Sequence, residues 1–215
     1  MRRYFVTGTD TGVGKTFVGC ALARRHRALH PSGRVFAYKP VETGVVGELG
    51  EDQVALVEAA GGWQRGEARG TYQFKLPAAP NVAARAEGAS IDLGRVERVL
   101  ATGAEASTLV LVEGAGGIRV PMTDDVDMAA FAKRVGGDVI IVARAGLGTI
   151  NHSLLTIEAA QREGLKVAAL VLSKRPDDDD AFAESNAAEI GRGIRGDAAV
   201  PVIVMRREAD LDPLV

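Results

Sequence analysis

The sequence predicts an α/β fold in which helices cover both faces of a mostly parallel central sheet. Short aliphatic runs alternate with longer helical segments, and this alternation favours parallel strands joined by right-handed crossovers. The aliphatic runs are continuously apolar, which is typical of strands that are buried on both faces of a parallel sheet. A length of 215 residues fits one domain spanning residues 1–215.

The predicted elements follow one another in a regular order. The strand candidates are β-branched or aliphatic runs at residues 3–7, 34–38, 108–113, 138–143, 166–173 and 200–205. Helical patterns lie near residues 15–29, 52–60, 92–102, 126–135, 150–163 and 179–192. The stretch 43–91 fits this scheme least well and predicts a long connection with one short helix. Long connections are often functional, and this one follows a strand end, where ligands bind in open α/β sheets.

Composition and charge argue against several classes of protein. The chain has 26 Lys+Arg against 28 Asp+Glu, so it lacks the basic surplus of a nucleic-acid or anionic-membrane binder. The aliphatic run at residues 167–172 is far shorter than the roughly 20 residues of a membrane span. Cys20 is the single cysteine and cannot form an internal disulfide. We therefore expect a cytoplasmic protein without a nucleic-acid or membrane partner.

The strongest local signal is the glycine-rich segment at residues 8–16, which follows the first strand and begins the first helix. This is the context of a phosphate-binding P-loop, in which backbone N–H groups and a helix N-terminus bind phosphate. Lys15 is expected to reach the terminal phosphates, and the Thr16 hydroxyl to bind Mg²⁺. The usual spacing needs glycine at position 9, where this chain has Thr9, so the loop is a variant. A glycine-rich turn that binds nothing is the alternative.

An acidic residue ends the third predicted strand. Glu113 stands where a metal-binding acid lies in P-loop proteins, and the glycines after it allow the backbone to approach a ligand. Alone, such an acid is more often solvated, but a P-loop in the same sheet favours a metal ligand. Asp52 begins a short helix and is either a second metal ligand or a helix cap. The residues expected to contact the nucleotide are Gly12, Val13, Gly14, Lys15, Thr16, Phe17, Asp52, Glu113, Gly114, Ala115 and Gly116.

Further motifs produce a family resemblance. The second predicted strand is followed by the block Lys39-Pro40-Val41-Glu42-Thr43-Gly44. At the end of the third strand stands Val112-Glu113-Gly114-Ala115-Gly116-Gly117, and after the fourth comes Leu147-Gly148-Thr149-Ile150-Asn151-His152. With the P-loop and Pro80, these motifs run in order from residue 4 to about residue 172. The chain therefore resembles the dethiobiotin synthetase family, which has a P-loop NTPase-like fold. Without its motif, Lys39 would be an ordinary strand-end lysine.

The resemblance implies an enzyme of biotin synthesis that closes a cyclic urea on 7,8-diaminopelargonate with CO₂, Mg²⁺ and ATP or another nucleoside triphosphate. One amine captures CO₂ as a carbamate, whose oxygen attacks the γ-phosphate to give a carbamic–phosphoric anhydride. The second amine then expels phosphate and closes the ring.

The resemblance also assigns roles to individual residues. Positive charge at the reacting groups comes from Lys15 and Lys39. The expected Mg²⁺ ligands are Thr16, Asp52 and Glu113. Substrate contacts are expected from Thr11, Thr43 and Asn151. Because Asn151 meets the substrate from the neighbouring subunit in the family, the resemblance implies a homodimer with its site at the interface.

The chain departs from the family at the expected base pocket. Ser173 and Lys174 stand where many members carry an asparagine that reads adenine, and the segment at residues 201–207 also differs. Asn81 replaces a histidine that many members carry. The nucleobase preference is therefore open, and other triphosphates, CTP included, are expected to serve about as well as ATP.

Two other classes of protein share part of the pattern. A partitioning or site-selection ATPase switch is the main alternative, but it needs a lysine where this chain has Asp10. A corrinoid amide-forming synthetase is the second, but 215 residues leave no room for its glutaminase domain. The sequence assigns no role to Trp63, and the aspartate run at residues 177–180 is interpreted as the start of a helix.

Overall fold

The structure is a computed structural model that describes residues 1–174, 178–195 and 199–215. The strands and helices are β1 (Arg2–Gly8), α1 (Lys15–Leu29), β2 (Val35–Tyr38), β3 (Val41–Thr43), α2 (Glu51–Ala59), β4 (Tyr72–Phe74), α3 (Pro80–Ala86), α4 (Leu93–Glu105), β5 (Leu109–Gly117), α5 (Met128–Val135), β6 (Asp138–Arg144), α6 (Thr149–Arg162), β7 (Val167–Ser173), α7 (Asp180–Gly193) and β8 (Val202–Met205). Short 3₁₀ helices lie at Gly66–Arg69 and Glu208–Leu214. Asp177 lies outside the described residues, whereas Asp179 caps α7 by accepting a hydrogen bond from the Phe182 N–H.

The central sheet contains all the strands that the sequence predicts. Its order over the described residues is β2-β5-β1-β6-β7-β8, and every neighbouring pair is parallel. The predicted α/β fold with a parallel sheet is therefore confirmed. β5 runs to Gly117, beyond its predicted end at residue 113, because Gly117 still pairs with Gly8 after a register shift in which β5 contains the extra residues.

Each face of the sheet is covered by its own hydrophobic cluster. Along β5, Val110 and Val112 belong to the cluster that includes α4 to α7, whereas Leu109 and Leu111 belong to the cluster that includes α1 and α2. This alternation follows from the two-residue period of a strand, and it explains why both kinds of position are apolar. Within the described ranges, no helix has both the length and the apolar character of a membrane span.

The stretch 43–91 contains more regular structure than the sequence predicts. β3 and β4 form a separate parallel pair with Val41 opposite Tyr72, and α3 begins at Pro80, where proline suits the first helical position. Strands of three residues are too short to show a periodicity in the sequence. This pair carries the residues after Lys39 along one wall of the cavity described below.

The edge of the sheet at β2 is closed by side chains. The Trp63 indole N–H donates to the Val35 carbonyl at 2.8 Å, and Arg34 lies over the indole ring. The Gln64 side-chain amide donates to the Ala37 carbonyl at 2.9 Å and accepts the Ala37 N–H at 3.3 Å. An unpaired strand edge invites association with other chains, so these contacts protect β2. Trp63, unassigned from the sequence, is explained by this role.

Candidate active site

The site lies at the carboxyl ends of β1, β2 and β5, which are neighbours in the sheet. A cavity of about 650 Å³ opens there. Predicted site residues that line it are Thr11, Gly12, Gly14, Lys15, Thr16, Phe17, Lys39, Thr43, Asp52, Glu113, Ala115 and Gly116. The fold therefore brings the three sequence motifs that follow β1, β2 and β5 into one cavity.

Gly114 does not line this cavity, although the sequence interpretation placed it at the nucleotide. A side chain at Gly114 would instead meet Phe5 and Met128 in the core. Glu113 and Ala115 line the cavity from either side of it, so the strand's two-residue alternation turns Gly114 to the opposite face. A nucleotide contact from Gly114 would therefore have to come from its backbone, and it stays a prediction.

The phosphate loop ends in a helix N-terminus that lacks a side-chain cap. Gly12 and Gly14 adopt positive φ angles of 69° and 97°, which glycine tolerates at little cost, and α1 begins directly after them. The free N–H groups of the first turn suit an anion. The Lys15 ammonium donates to the Asp10 carbonyl at 3.1 Å and thus crosses the loop. Burial lowers the pKa of Lys15, and Glu113 opposes this shift.

Four side chains from distant parts of the chain form a charged cluster beside the loop. Glu113 is 2% exposed, and its Oε1 accepts the Thr16 hydroxyl at 2.8 Å and lies 3.0 Å from the Lys39 ammonium. Lys39 also pairs with Asp52. Burial acts to lower the pKa of Lys39, but Glu113 and Asp52 outweigh it and raise that pKa above its ordinary value. Lys39 is therefore held as a cation between two carboxylates.

The cluster contains a donor set that fits Mg²⁺. The second carboxylate oxygen of Glu113 is buried and accepts no hydrogen bond from the residues that the structure describes. Those residues offer no group of three or more His, Cys, Asp or Glu side chains that could hold a metal. The set is therefore two carboxylates and the Thr16 hydroxyl, and Mg²⁺ in nucleotide sites typically has one or two carboxylates plus phosphate oxygens.

The position of Asp52 excludes one of the two roles that the sequence left open. The residue before α2 is Gly50, so Asp52 lies inside the first turn of the helix and is not its N-cap. Its carboxylate pairs with Lys39 in the charged cluster. The helix-cap interpretation of Asp52 is therefore wrong, whereas its position remains suitable for a metal ligand.

The cavity also contains an acid that the sequence analysis did not single out. Glu42 of β3 is buried, lines the cavity beside Thr43, and accepts the backbone N–H groups of Asp52 and Gln53. Burial raises the pKa of Glu42, although Lys39 and the two N–H donors oppose the shift. A glycine directly before a helix, where a capping side chain is usual, was the available signal.

A smaller pocket of about 240 Å³ adjoins the phosphate loop. Its lining residues are Gly12, Val13, Gly14, Phe17, Arg144, Ser173 and Lys174. Ser173 ends β7 and lies so close to the loop that a Cβ at Gly14 would be 2.4 Å from its hydroxyl oxygen. Arg144 pairs with Asp10 at 3.7 Å, and Lys174 with Asp180 at 3.6 Å. Val13, predicted at the nucleotide, lines this pocket.

Asn151 lies apart from both pockets. It is the third residue of α6, is exposed, and is not among the described residues that line either cavity. Leu147 and Leu155 lie four residues on either side of it, and they are 92% and 56% exposed. Within one chain, Asn151 is therefore not brought to the charged cluster.

Solved structures with a similar fold are P-loop ATPases. The ParA family ATPase of Chlorobium tepidum TLS has a TM-score of 0.55 and 13% identity, over 99% of this chain and 88% of that chain. The cell division ATPase MinD of Pyrococcus furiosus has a TM-score of 0.51 and 15% identity, over 95% and 84%. At such identities the likeness shows the fold alone, and a P-loop NTPase fold is confirmed.

Sequence comparison is more specific. A family model described as "AAA domain" matches residues 2–203. The ATP-dependent dethiobiotin synthetase BioD of Anaeromyxobacter dehalogenans (strain 2CP-C) is 47% identical over 192 residues, which are 89% of this chain and 85% of the relative. The protein of the same name from Aromatoleum aromaticum is 38% identical, over 80% and 78% of the two chains. The chain belongs to the ATP-dependent dethiobiotin synthetase family.

Proposed function

We propose that this protein forms dethiobiotin from 7,8-diaminopelargonate, CO₂ and a nucleoside triphosphate, with Mg²⁺, in biotin biosynthesis. The observation that carries the proposal is the charged cluster, in which Lys39 lies between Asp52 and Glu113 beside the phosphate loop. Phosphate transfer to an anionic acceptor needs positive charge where two negative groups meet. Family membership supports this chemistry over that of other P-loop ATPases.

The first half of the reaction joins two anions. An amine of the substrate attacks CO₂ and loses a proton to give a carbamate. A carbamate oxygen then attacks the γ-phosphorus while the bond to the bridging oxygen of the nucleoside diphosphate breaks. Lys39 and Lys15 neutralise negative charge on the carbamate and on the transferring phosphoryl group. Thr16, Asp52 and Glu113 would hold Mg²⁺, which neutralises charge on the phosphate oxygens.

In the second half, the other amine attacks the carbonyl carbon of the mixed anhydride. The carbon–oxygen bond to phosphate breaks, the nitrogen loses a proton, and the five-membered urea closes. We infer that Thr11 and Thr43, which line the cavity, position the diamine, since hydroxyl groups can both donate to and accept from amine and carbamate groups. Ring closure is already intramolecular, because both nitrogens belong to one molecule, so these contacts need only orient the second amine towards the carbonyl carbon.

The smaller pocket is proposed to hold the nucleobase, because it shares Gly12, Gly14 and Phe17 with the main cavity. Asn151 is proposed to reach the active site of a second copy in a homodimer. Its exposure at the start of α6, next to the exposed Leu147 and Leu155, supports this arrangement. The N-terminus of α6 would then favour the substrate carboxylate.

The decisive assay is phosphate release measured with and without diaminopelargonate, and with and without CO₂, with dethiobiotin identified by mass spectrometry. We expect release only when both substrates are present. A Lys75→Ala variant is the control for lysine substitutions, because Lys75 is exposed and does not line the cavity. Hydrolysis that responds to DNA or lipid but not to the diamine would instead support a switch ATPase.

A further inference from the structure

The start of α2 is capped from another element. A helix leaves its first N–H groups unpaired, and the residue before it usually accepts one of them with its side chain. Here that residue is Gly50, which has no side chain. Instead, Glu42 of β3 accepts the Asp52 N–H at 3.1 Å and the Gln53 N–H at 2.9 Å.

The capping contact is close-fitting. Each carboxylate oxygen of Glu42 accepts one N–H, and such charge-assisted bonds are about twice as strong as neutral ones. The negative charge also suits the positive end of the helix dipole. A Cβ at Gly50 would lie 2.0 Å from Glu42 Cδ, and its three nearest atoms all belong to the Glu42 carboxylate. A side chain at position 50 and the Glu42 carboxylate therefore exclude each other.

The first turn of α2 also holds the backbone of Lys39. Gln53 is fully buried, and its side-chain amide donates to the Lys39 carbonyl at 3.1 Å and to the Tyr72 carbonyl at 3.2 Å. Asp52, between the cap and this contact, pairs through its carboxylate with the Lys39 ammonium. The cap thus fixes the first turn of α2. That turn carries Asp52 of the charged cluster and holds the backbone of Lys39, a second member.

We propose that Glu42 is a positioning residue: by capping α2 from β3, it holds Asp52 against Lys39 and in place as a metal ligand. Its role in the reaction rests on the proposed function, whereas its role as a cap does not. Glu42 needs no contact with the reacting atoms to act in this way.

The test is a cycle of four proteins: the parent, Glu42→Ala, Gly50→Ser and the double variant. Gly50 has φ −72° and ψ 149°, a conformation that suits a serine N-cap. In the double variant, the serine side chain introduced by Gly50→Ser occupies the space that the carboxylate leaves and supplies the missing acceptor. In Gly50→Ser alone, the new side chain collides with Glu42, so that variant is expected to be less active than the double variant.

The first readout is hydrogen exchange in the absence of metal and nucleotide. Glu42→Ala is expected to speed hydrogen exchange at the backbone N–H groups of Asp52 and Gln53 about tenfold. The double variant is expected to restore their protection. The Arg95 amide, which the local cap Asp92 holds at 3.1 Å on α4, is the internal control. Unchanged exchange in Glu42→Ala would refute the cap.

The second readout is the Mg²⁺ concentration for half-maximal activity. Glu42→Ala should raise it about tenfold, the usual scale for groups that orient metal ligands, and the double variant should return it to within about threefold of the parent. Glu48→Ala, an exposed acid in the neighbouring loop, is the matched control and should have no effect. Restored exchange without restored activity would mean that Glu42 acts on the substrate directly, and would overturn the proposal.

A third substitution keeps the test valid if Glu42→Ala does not fold. Glu42→Gln retains one acceptor oxygen at nearly the same volume, so it should lose protection at one of the two amides and show a smaller Mg²⁺ effect. Full protection of both amides in this variant would count against the cap. If phosphate release by the parent did not depend on diaminopelargonate and CO₂, the proposed function would be refuted. The hydrogen-exchange result on the cap would still stand.

Discussion

The hydroxyl of Thr16 donates a hydrogen bond of 2.8 Å to Glu113, although 97 residues separate the two in the chain. The sheet order explains this contact, because β1 and β5 are parallel neighbours and both end at the same edge. The loop after β1 and the acid on β5 must therefore meet. A metal that binds both side chains would replace a contact that the protein already makes, so little rearrangement is needed.

Thr16→Val should remove a metal ligand while preserving the shape of the side chain. We expect turnover to fall by about 10²-fold or more, and the Mg²⁺ requirement to rise, because phosphate charge is neutralised less well. Thr16→Ser keeps the hydroxyl and should retain most activity. Steady-state kinetics across a Mg²⁺ titration measure both effects. Equal activity of the valine and serine variants would exclude Thr16 as a ligand.

Lys39→Ala should lower turnover by ~10²–10³-fold, which is the usual loss when one transition-state electrostatic contact is removed. Nucleotide affinity, measured by calorimetry, should change little, because the triphosphate is held by residues 12–16. The substitution also leaves the Glu113 charge without its lysine partner, so Tm should fall. Assays must therefore be run well below that Tm, beside Lys75→Ala. Turnover within a few-fold of the parent would reduce Lys39 to a structural role.

Ser173 should make the enzyme tolerant of different nucleobases. A serine hydroxyl cannot donate to one edge atom of adenine and accept from another at the same time, as an amide can. We expect CTP and other triphosphates to serve with kcat/KM near or above that of ATP, and Ser173→Asn to shift preference towards ATP. The measurement is kcat/KM for each triphosphate, determined side by side for the parent and for Ser173→Asn. A preference of the parent for ATP above about 100-fold would show that another residue reads adenine.

The proposed homodimer predicts that two inactive variants can rescue each other. Lys39→Ala and Asn151→Ala chains, mixed under conditions that exchange subunits, would form hybrid dimers with one intact site in two. Half of the dimers are hybrids in an equal mixture, so about a quarter of parental activity should return. No recovery, with exchange verified by native mass spectrometry, would place Asn151 outside the partner's site.

The exposed leucine on α6 provides an independent test of the same interface. Leu155→Glu should dissociate the dimer and lower activity, since it places a charge on a surface that is proposed to be covered. Phe182→Glu is the matched control, because Phe182 is 43% exposed but lies on α7. Sedimentation at several protein concentrations measures the oligomeric state of each variant, and only Leu155→Glu should be monomeric. A monomeric parent would contradict the proposal.

The sequence was most informative where a chemical group must occupy a fixed place relative to a strand end. Glu113 and Thr16 could be predicted because strand, loop and helix follow each other at short, recognisable spacing. The face that Gly114 presents could not be predicted, because a glycine carries no side chain that shows it. Glu42 and Gln53 were missed because their partners are backbone groups, which every residue carries, so that only the glycine before α2 indicated a cap from elsewhere.

The side chains that close the β2 edge also give the protein a natural optical probe. Trp63 is the single tryptophan of the chain, so all indole emission arises at one place. That place is next to the strand that leads into Lys39. With its N–H bonded to Val35 and Arg34 over its ring, the indole should change its emission when this edge opens. Fluorescence can therefore follow detachment of the β2 edge separately from circular dichroism, which averages over all helices.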